Sequence, residues 1–306
     1  MRYDKGLLVI TGASGFIGAR LVAAALSEGW NVTALLRDPS RLAHLDCVKL
    51  RTESWSIGQE PIGNNILSGA DAIVHLAAFV PPDHENSGYA TECFRVNALG
   101  TLALARQASE ANVGRFVFFS SGQIYSVTEK VASERALVYP AHRATYYLSS
   151  KLNAELFLQH QSYTKGLAVT ILRVAAVYGE GMPGTGIIPV FIKRISESCD
   201  IHVLDGGTYA VDFVHVDDVV SAALRVIEKR IDGVLNVGSG QARTSLEVAD
   251  ILVKVMKADR SNIKVHDPEG TSYPPGFPAL DIEKARRAFD YHPLTLEQGL
   301  TLWLSH

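Results

Sequence analysis

Leu7-Leu8-Val9-Ile10-Thr11-Gly12-Ala13-Ser14-Gly15-Phe16-Ile17-Gly18 is a run of apolar residues that breaks into a three-glycine turn and then resumes with helical spacing. Four consecutive apolar, mostly branched residues suit a strand buried on both faces of a parallel sheet. Phe16, Ile17, Leu21, Val22, Ala25 and Leu26 recur with the period of an amphipathic helix packed back on that strand. The turn between them must therefore be tight. Gly12 can take backbone angles that other residues avoid, Gly15 lets a diphosphate approach the main chain, and Gly18 lets helix and strand pack closely. The N-terminus of such a helix offers N–H groups to phosphate oxygens, which makes Ser14, Phe16 and Ile17 candidate cofactor contacts beside the glycines. An ordinary strand-to-helix turn has the same glycines, and the flanking strand and helix tip the reading towards a dinucleotide.

The 306 residues allow one large α/β domain, or a large domain with a small partner. A net charge of -3 with 20% charged residues leaves no basic footprint for nucleic acid. Cys47, Cys93 and Cys199 are far apart, odd in number and without C-x-x-C spacing, so neither a disulfide framework nor a zinc site is expected. A reducing cytoplasm fits that usage. Asp4 precedes the short apolar run and glycines interrupt it, so it reads as neither a signal peptide nor a membrane span.

Further along, Asn31 to Leu36 reads as a second buried strand ending in Arg37-Asp38-Pro39, at the distance where ribose selectivity is normally decided. Arg37 can meet a 2′-phosphate with a planar, permanently charged fork, which points to NADP, with NAD as the other possibility. It can equally be a solvated strand-end charge, and Asp38 could reach a ribose hydroxyl. Cys47-Val48-Lys49-Leu50 is expected as a third strand, Ala70 to Ala78 as a fourth, and Arg115 to Tyr125 as a fifth that delivers Ser120 and Ser121 at its carboxyl end. His75 reads as a packed strand-end residue. Val80-Pro81-Pro82-Asp83-His84-Glu85-Asn86-Ser87-Gly88 is turn chemistry at the ligand-binding edge of the sheet. In Tyr146-Tyr147-Leu148-Ser149-Ser150-Lys151, helical spacing makes Tyr147 and Lys151 neighbours. An ammonium near a phenol favours the phenolate and brings proton transfer towards neutral pH.

The T-G-A-S-G-F-I-G turn, Asn97-Ala98-Leu99-Gly100-Thr101, Ser120-Ser121-x-x-x-Tyr125 and Tyr147-x-x-x-Lys151 occur in this order. Together they resemble the extended short-chain dehydrogenase/reductases, also called the epimerase/dehydratase family. The resemblance implies a doubly wound parallel Rossmann sheet in residues 1–175, to which 216–238 returns, and a smaller C-terminal α/β substrate-binding region in 176–306. It implies hydride transfer between a nicotinamide and a carbinol or ketone carbon. Tyr147 would exchange the proton of the reacting oxygen, Ser121 would polarise it, and Lys151 would bind the nicotinamide ribose. Gly12, Ser14, Gly15, Phe16, Ile17, Gly18, Arg37, Ala77 and Asn97 would contact the cofactor. For Asn97 a helix-interior role is the alternative. Members that use NAD carry an acid at the place of Leu36, and an acid after the third strand that contacts adenine falls here at Arg51.

In the second half, Leu167 to Arg173 is expected as a sixth strand. Val211-Asp212-Phe213-Val214-His215-Val216-Asp217-Asp218-Val219 and Val234 to Gly240 match the family. Ala176 and Val211 replace an asparagine and an arginine of nucleotide-sugar epimerases. His215 with Asp217 could suggest acid/base chemistry, and an N-cap role for Asp217 before a helix from Val219 to Ile227 is the plainer reading. Thr244-Ser245-Leu246-Glu247 has the look of a capping box, and 267–278 that of a loop over the substrate. Gly122-Gln123 stands where dehydratases of the family place an acidic pair. Reductases and epimerases share Ser121, Tyr147 and Lys151; a reductase acting on a sugar nucleotide or related carbonyl compound is favoured, since internal recycling has no need of an NADPH pool. A non-catalytic NADP sensor stays open, and a serine hydrolase lacks its G-x-S-x-G elbow. No metal is expected. By analogy with relatives that pair through the helices around Leu99 to Ala111 and Tyr147 to Phe157, a homodimer is.

Overall fold

Leu8, Val9 and Ile10 are wholly buried, as a central parallel strand requires. They sit in a computed structural model that describes residues 5–45, 47–58, 61–126, 130–138, 145–267 and 276–305. Its strands are β1 (Leu7–Thr11), β2 (Asn31–Leu36), β3 (Leu50–Ser54), β4 (Ala72–His75), β5 (Phe116–Ser121), β6 (Val131–Ala132), β7 (Val169–Val174), β8 (Ala176–Tyr178), β9 (Ile201–Val203), β10 (Ala210–His215), β11 (Gly233–Val237), β12 (Ala242–Thr244), β13 (Ile263–Val265) and β14 (Ala279–Leu280). The α-helices are α1 (Phe16–Glu28), α2 (Asn64–Leu67), α3 (Ala90–Cys93), α4 (Thr101–Glu110), α5 (Tyr146–Lys165), α6 (Ile187–Ser196), α7 (Val216–Glu228), α8 (Ser245–Val255), α9 (Glu283–Phe289) and α10 (Leu296–Leu304). A π-helical turn, Phe94–Gly100, joins α3 to α4.

The chain divides into two units. The first comprises Met1–Ile124, Tyr139–Arg173 and Val220–Leu235. It carries a seven-stranded sheet in the order β11-β7-β5-β4-β1-β2-β3, with β1 parallel to both β2 and β4. The order reverses between β1 and β4, and in open α/β sheets ligands bind at that switch, outside the carboxyl ends of the strands. Val9, Leu35, Ile73, Leu104, Phe116, Phe118, Ala154 and Ile171 belong to one core that joins sheet to helices.

The second unit comprises Tyr125–Val138, Val174–Val219 and Asn236–His306, so the segment after Ile124 leaves the boundary expected near residue 175. Its core packs Tyr178, Phe191, Val248, Leu252 and Leu300. Asp212, 2% exposed, accepts hydrogen bonds from the N–H groups of Ser239, Gly240 and Leu280, which ties two segments to β10. The capping box at Thr244 and Glu247 forms as expected. Residues 268–275 of the expected substrate loop lie outside the described residues.

Several boundaries differ from the expected ones. The third strand begins at Leu50, where it was expected to end, because Leu50 is the residue that pairs with Val32 and Val48 is fully exposed. Arg51 therefore lies inside an edge strand, opposite Thr33 and bonded to Glu53, and the residues after the strand are Trp55, Ser56 and Ile57. The fourth strand keeps only Ala72–His75, the sixth expected strand runs Val169–Val174, and the fifth stops at Ser121 because Gly122–Ile124 turns as a 3-10 helix. Asp217 lies within the first turn of α7 instead of capping it, since the helix starts at Val216.

Candidate active site

The glycine turn owes its shape to steric need. Gly12 has φ +67°, and a Cβ there would lie 2.7 Å from the Ala77 nitrogen. A Cβ on Gly18 would lie 2.1 Å from the Gly12 carbonyl, which is the close helix-to-strand packing expected of it. These are places where only hydrogen fits, and they leave Gly15 exposed at the N-cap of α1. Above the turn lies a cleft of about 670 Å³ lined by Gly12, Ser14, Gly15, Arg37 and Ala77, five of the candidate contacts. Phe16, Ile17 and Gly18 occupy the first turn of α1 and do not line it. A diphosphate fits such a cradle, with N–H groups and a helix N-terminus in place of a cationic side chain.

The wall at β2 bears on ribose recognition. Leu36 is buried, Arg37 is exposed, and Arg41 joins it on the cleft. The Asp38 carboxylate caps the following 3-10 turn, accepting from the backbone N–H of Ser40 at 3.1 Å and its hydroxyl at 2.7 Å. Trp55, Ser56, Ile57, Glu92 and Arg95 line the same cleft. None of these five, nor Arg41, was expected from the sequence, because a short loop and a helical Glu/Arg pair read as solvated surface until the fold brings them together.

Beneath the cleft, a chain of hydrogen bonds locks the floor. Thr101 donates to the Asn97 carbonyl at 2.6 Å, so its hydroxyl accepts from His75 Nε2–H at 3.0 Å, and His75 Nδ1 accepts from Thr11 at 2.7 Å. Burial holds the His75 imidazole down to about 3, with the Lys151 charge acting in the same direction. Asn97 is 1% exposed. Its amide clamps the main chain of Phe79, accepting from the N–H at 2.7 Å and donating to the carbonyl at 2.9 Å, and also donates to Ser150. The geometry is that of a strut.

Tyr147 and Lys151 lie one turn apart on α5, whose start is capped by Thr145. Lys151 is 3% exposed and holds its ammonium 4.2 Å from the centre of the Phe118 ring. Burial lowers Lys151 to about 7, against the raising influence of Glu155. Tyr147 goes the opposite way from the expectation drawn from the ammonium beside it: burial, helped by Cys93, pushes it up to about 12, so the phenol is protonated at neutral pH. His84, on the loop after β4, meets the Tyr147 ring edge to face at 5.7 Å.

The two serines divide by role. Ser120 is buried and donates to Glu155, a wholly buried carboxylate that also receives Arg173 at 2.7 Å. Ser121 accepts from the Gln123 N–H at 3.1 Å, and its hydroxyl proton has no acceptor among the described residues.

Comparison with known proteins places this geometry. The model of the "NAD dependent epimerase/dehydratase family" matches residues 8–238. A dTDP-glucose 4,6-dehydratase of Streptomyces niveus is 29% identical over 94% of this chain and 88% of its own. A dTDP-4-dehydro-6-deoxy-D-allose reductase of a Streptomyces species is 28% identical over 98% and 95%. Among solved structures, MoeE5 in complex with UDP-glucuronic acid and NAD superposes with a TM-score of 0.83 at 27% identity, covering 98% of this chain and 99% of that one. DesIV, a dTDP-glucose 4,6-dehydratase from Streptomyces venezuelae with NAD bound, gives 0.82 at 26%, covering 98% and 96%. These relatives are enzymes of the extended short-chain dehydrogenase type, and this chain, with its glycine cradle and Rossmann sheet, belongs to the NAD-dependent epimerase/dehydratase family.

Proposed function

We propose that the chain is an NADP-dependent reductase acting on a keto group of a sugar nucleotide or a related small carbonyl compound. The observation that carries this reading is the β2 wall, where Arg37 lines the cleft while Asp38 is turned to Ser40. A guanidinium fork suits a 2′-phosphate, and among the described residues at that wall no carboxylate is directed to a bare ribose. The nicotinamide supplies the hydride when bound. Gly12, Ser14 and Gly15 would hold the diphosphate, and Lys151 the nicotinamide ribose. Ser121 would donate to the carbonyl oxygen through its free hydroxyl proton. Tyr147 would give that oxygen its proton, a task to which a phenol kept neutral by burial is suited. Gly122-Gln123 supplies no acid for dehydration.

Epimerisation is the second reading, since the same three side chains serve it and UDP-glucose 4-epimerase from Thermotoga maritima superposes with a TM-score of 0.82. Purified protein with NADPH and candidate 4-keto sugar nucleotides separates the two. Stoichiometric loss of NADPH absorbance is expected, and product formed without net cofactor change would favour epimerisation. A cytoplasmic homodimer is part of the proposal, supported by exposed Leu99 and Leu156 on the helical stretch after β4 and on α5. No described helix is long and apolar enough to cross a membrane.

A further inference from the structure

An adenine ring presents a 6-amino group, which can only donate, and a donor taken out of water without an acceptor is costly. Among the described residues that line the cofactor cleft, Glu92 is the single carboxylate. Glu53 is turned to Arg51 and Asp38 to Ser40, and neither lines that cleft. Glu92 is also oriented. Arg95 donates to it from Nε at 2.8 Å and from Nη2 at 2.6 Å, a two-pronged grip, while its Nη1 donates to the Gly58 carbonyl at 2.7 Å. Gly58 directly follows Trp55-Ser56-Ile57, so the ion pair stands at the end of the cleft that these residues wall. Ile57 in turn packs against the main chain of Gly100, where a Cβ would come within 2.6 Å of it. An ionised carboxylate has about four acceptor sites, and Arg95 occupies two. Side-chain exposures of 41% for Glu92 and 42% for Arg95 leave the pair open to a ligand.

We propose that Glu92, held in place by Arg95, accepts a hydrogen bond from the adenine 6-amino group of the dinucleotide and so makes the cleft selective for that base. This rests on the cofactor reading above. Because the two residues are three apart on the α3-to-π segment, the grip is built within one helical turn and does not depend on the loop it faces.

Dissociation constants measured by calorimetry for NADP+ and for its hypoxanthine counterpart, whose 6-position is a carbonyl, test the proposal without turnover. The parent protein is expected to prefer the amino form by about tenfold, the scale of one hydrogen bond to a charged group. Glu92→Ala is expected to bring the two within about twofold of each other. Arg37→Ala should change the NADP+ to NAD+ ratio and leave the amino-to-oxo preference alone. Equal binding of the two bases by the parent, or a preference that survives in Glu92→Ala, overturns the assignment. Absence of binding by either dinucleotide would instead overturn the cofactor reading itself.

Discussion

The Lys151 ammonium lies against the face of the Phe118 ring, one turn from Tyr147 and one turn from Glu155 on the same helix. A cation stripped of water in this way is stabilised by the ring and by the carboxylate below it, yet still gives up its proton far more readily than a surface lysine. Stability follows. Between the folded value of about 7 and the ordinary lysine value of 10.5 the unfolded chain binds the extra proton, so this side chain makes the protein more stable as pH rises through that window. Urea midpoints of the parent and of Lys151→Met, compared at pH 7 and pH 10, should show the parent gaining on the variant. A gap that stays constant would contradict the lowered value.

Tyr147→Phe should reduce turnover by about a thousandfold, because it removes the phenolic proton proposed for the reacting oxygen, and should leave NADP affinity within about twofold. Fluorescence titration and initial rates on the same preparation check both halves. Turnover near the parental rate would remove Tyr147 from the chemistry.

Ser121→Ala is expected to cost about a hundredfold in kcat with little change in fold, whereas Ser120→Ala should act through Glu155 and appear mainly as lost stability. Thermal melts beside kinetics distinguish the two serines; matching profiles would refute the division.

Arg37→Ala should weaken NADP by roughly ten- to a hundredfold and leave NAD nearly unchanged, as expected for one forked contact to a phosphate. A parent protein that prefers NAD would end the assignment.

Glu155→Ala removes the wholly buried carboxylate that receives Arg173, and should destabilise the protein by about 3–5 kcal/mol. Chemical denaturation reads this directly. A loss under about 1 kcal/mol would mean that the pair is open to water.

The glycine turn and the Tyr147 to Lys151 spacing were legible because each is a local pattern whose geometry the backbone alone dictates. The third strand was not, because β3 lies at the sheet edge and alternates polar residues, while the apolar look of Cys47-Val48 belongs to an exposed turn. Glu92 and Arg95 gave no signal either. A Glu and an Arg three apart on a helix look like any solvated pair, and only the approach of Gly58 from 37 residues away reveals the cleft. The ionisation of Tyr147 escaped for a related reason: spacing shows the ammonium beside it, and only packing shows the desolvation that outweighs it.

His75 bears on how the enzyme responds to its surroundings. An imidazole wedged between two threonines and neutral down to about 3 is, for every pH a cell experiences, an inert beam. Acidification that would rearrange a surface histidine passes this one by, so the cradle keeps its form while the ammonium above it changes charge. Regulation by proton concentration would then act on the chemistry and spare the scaffold.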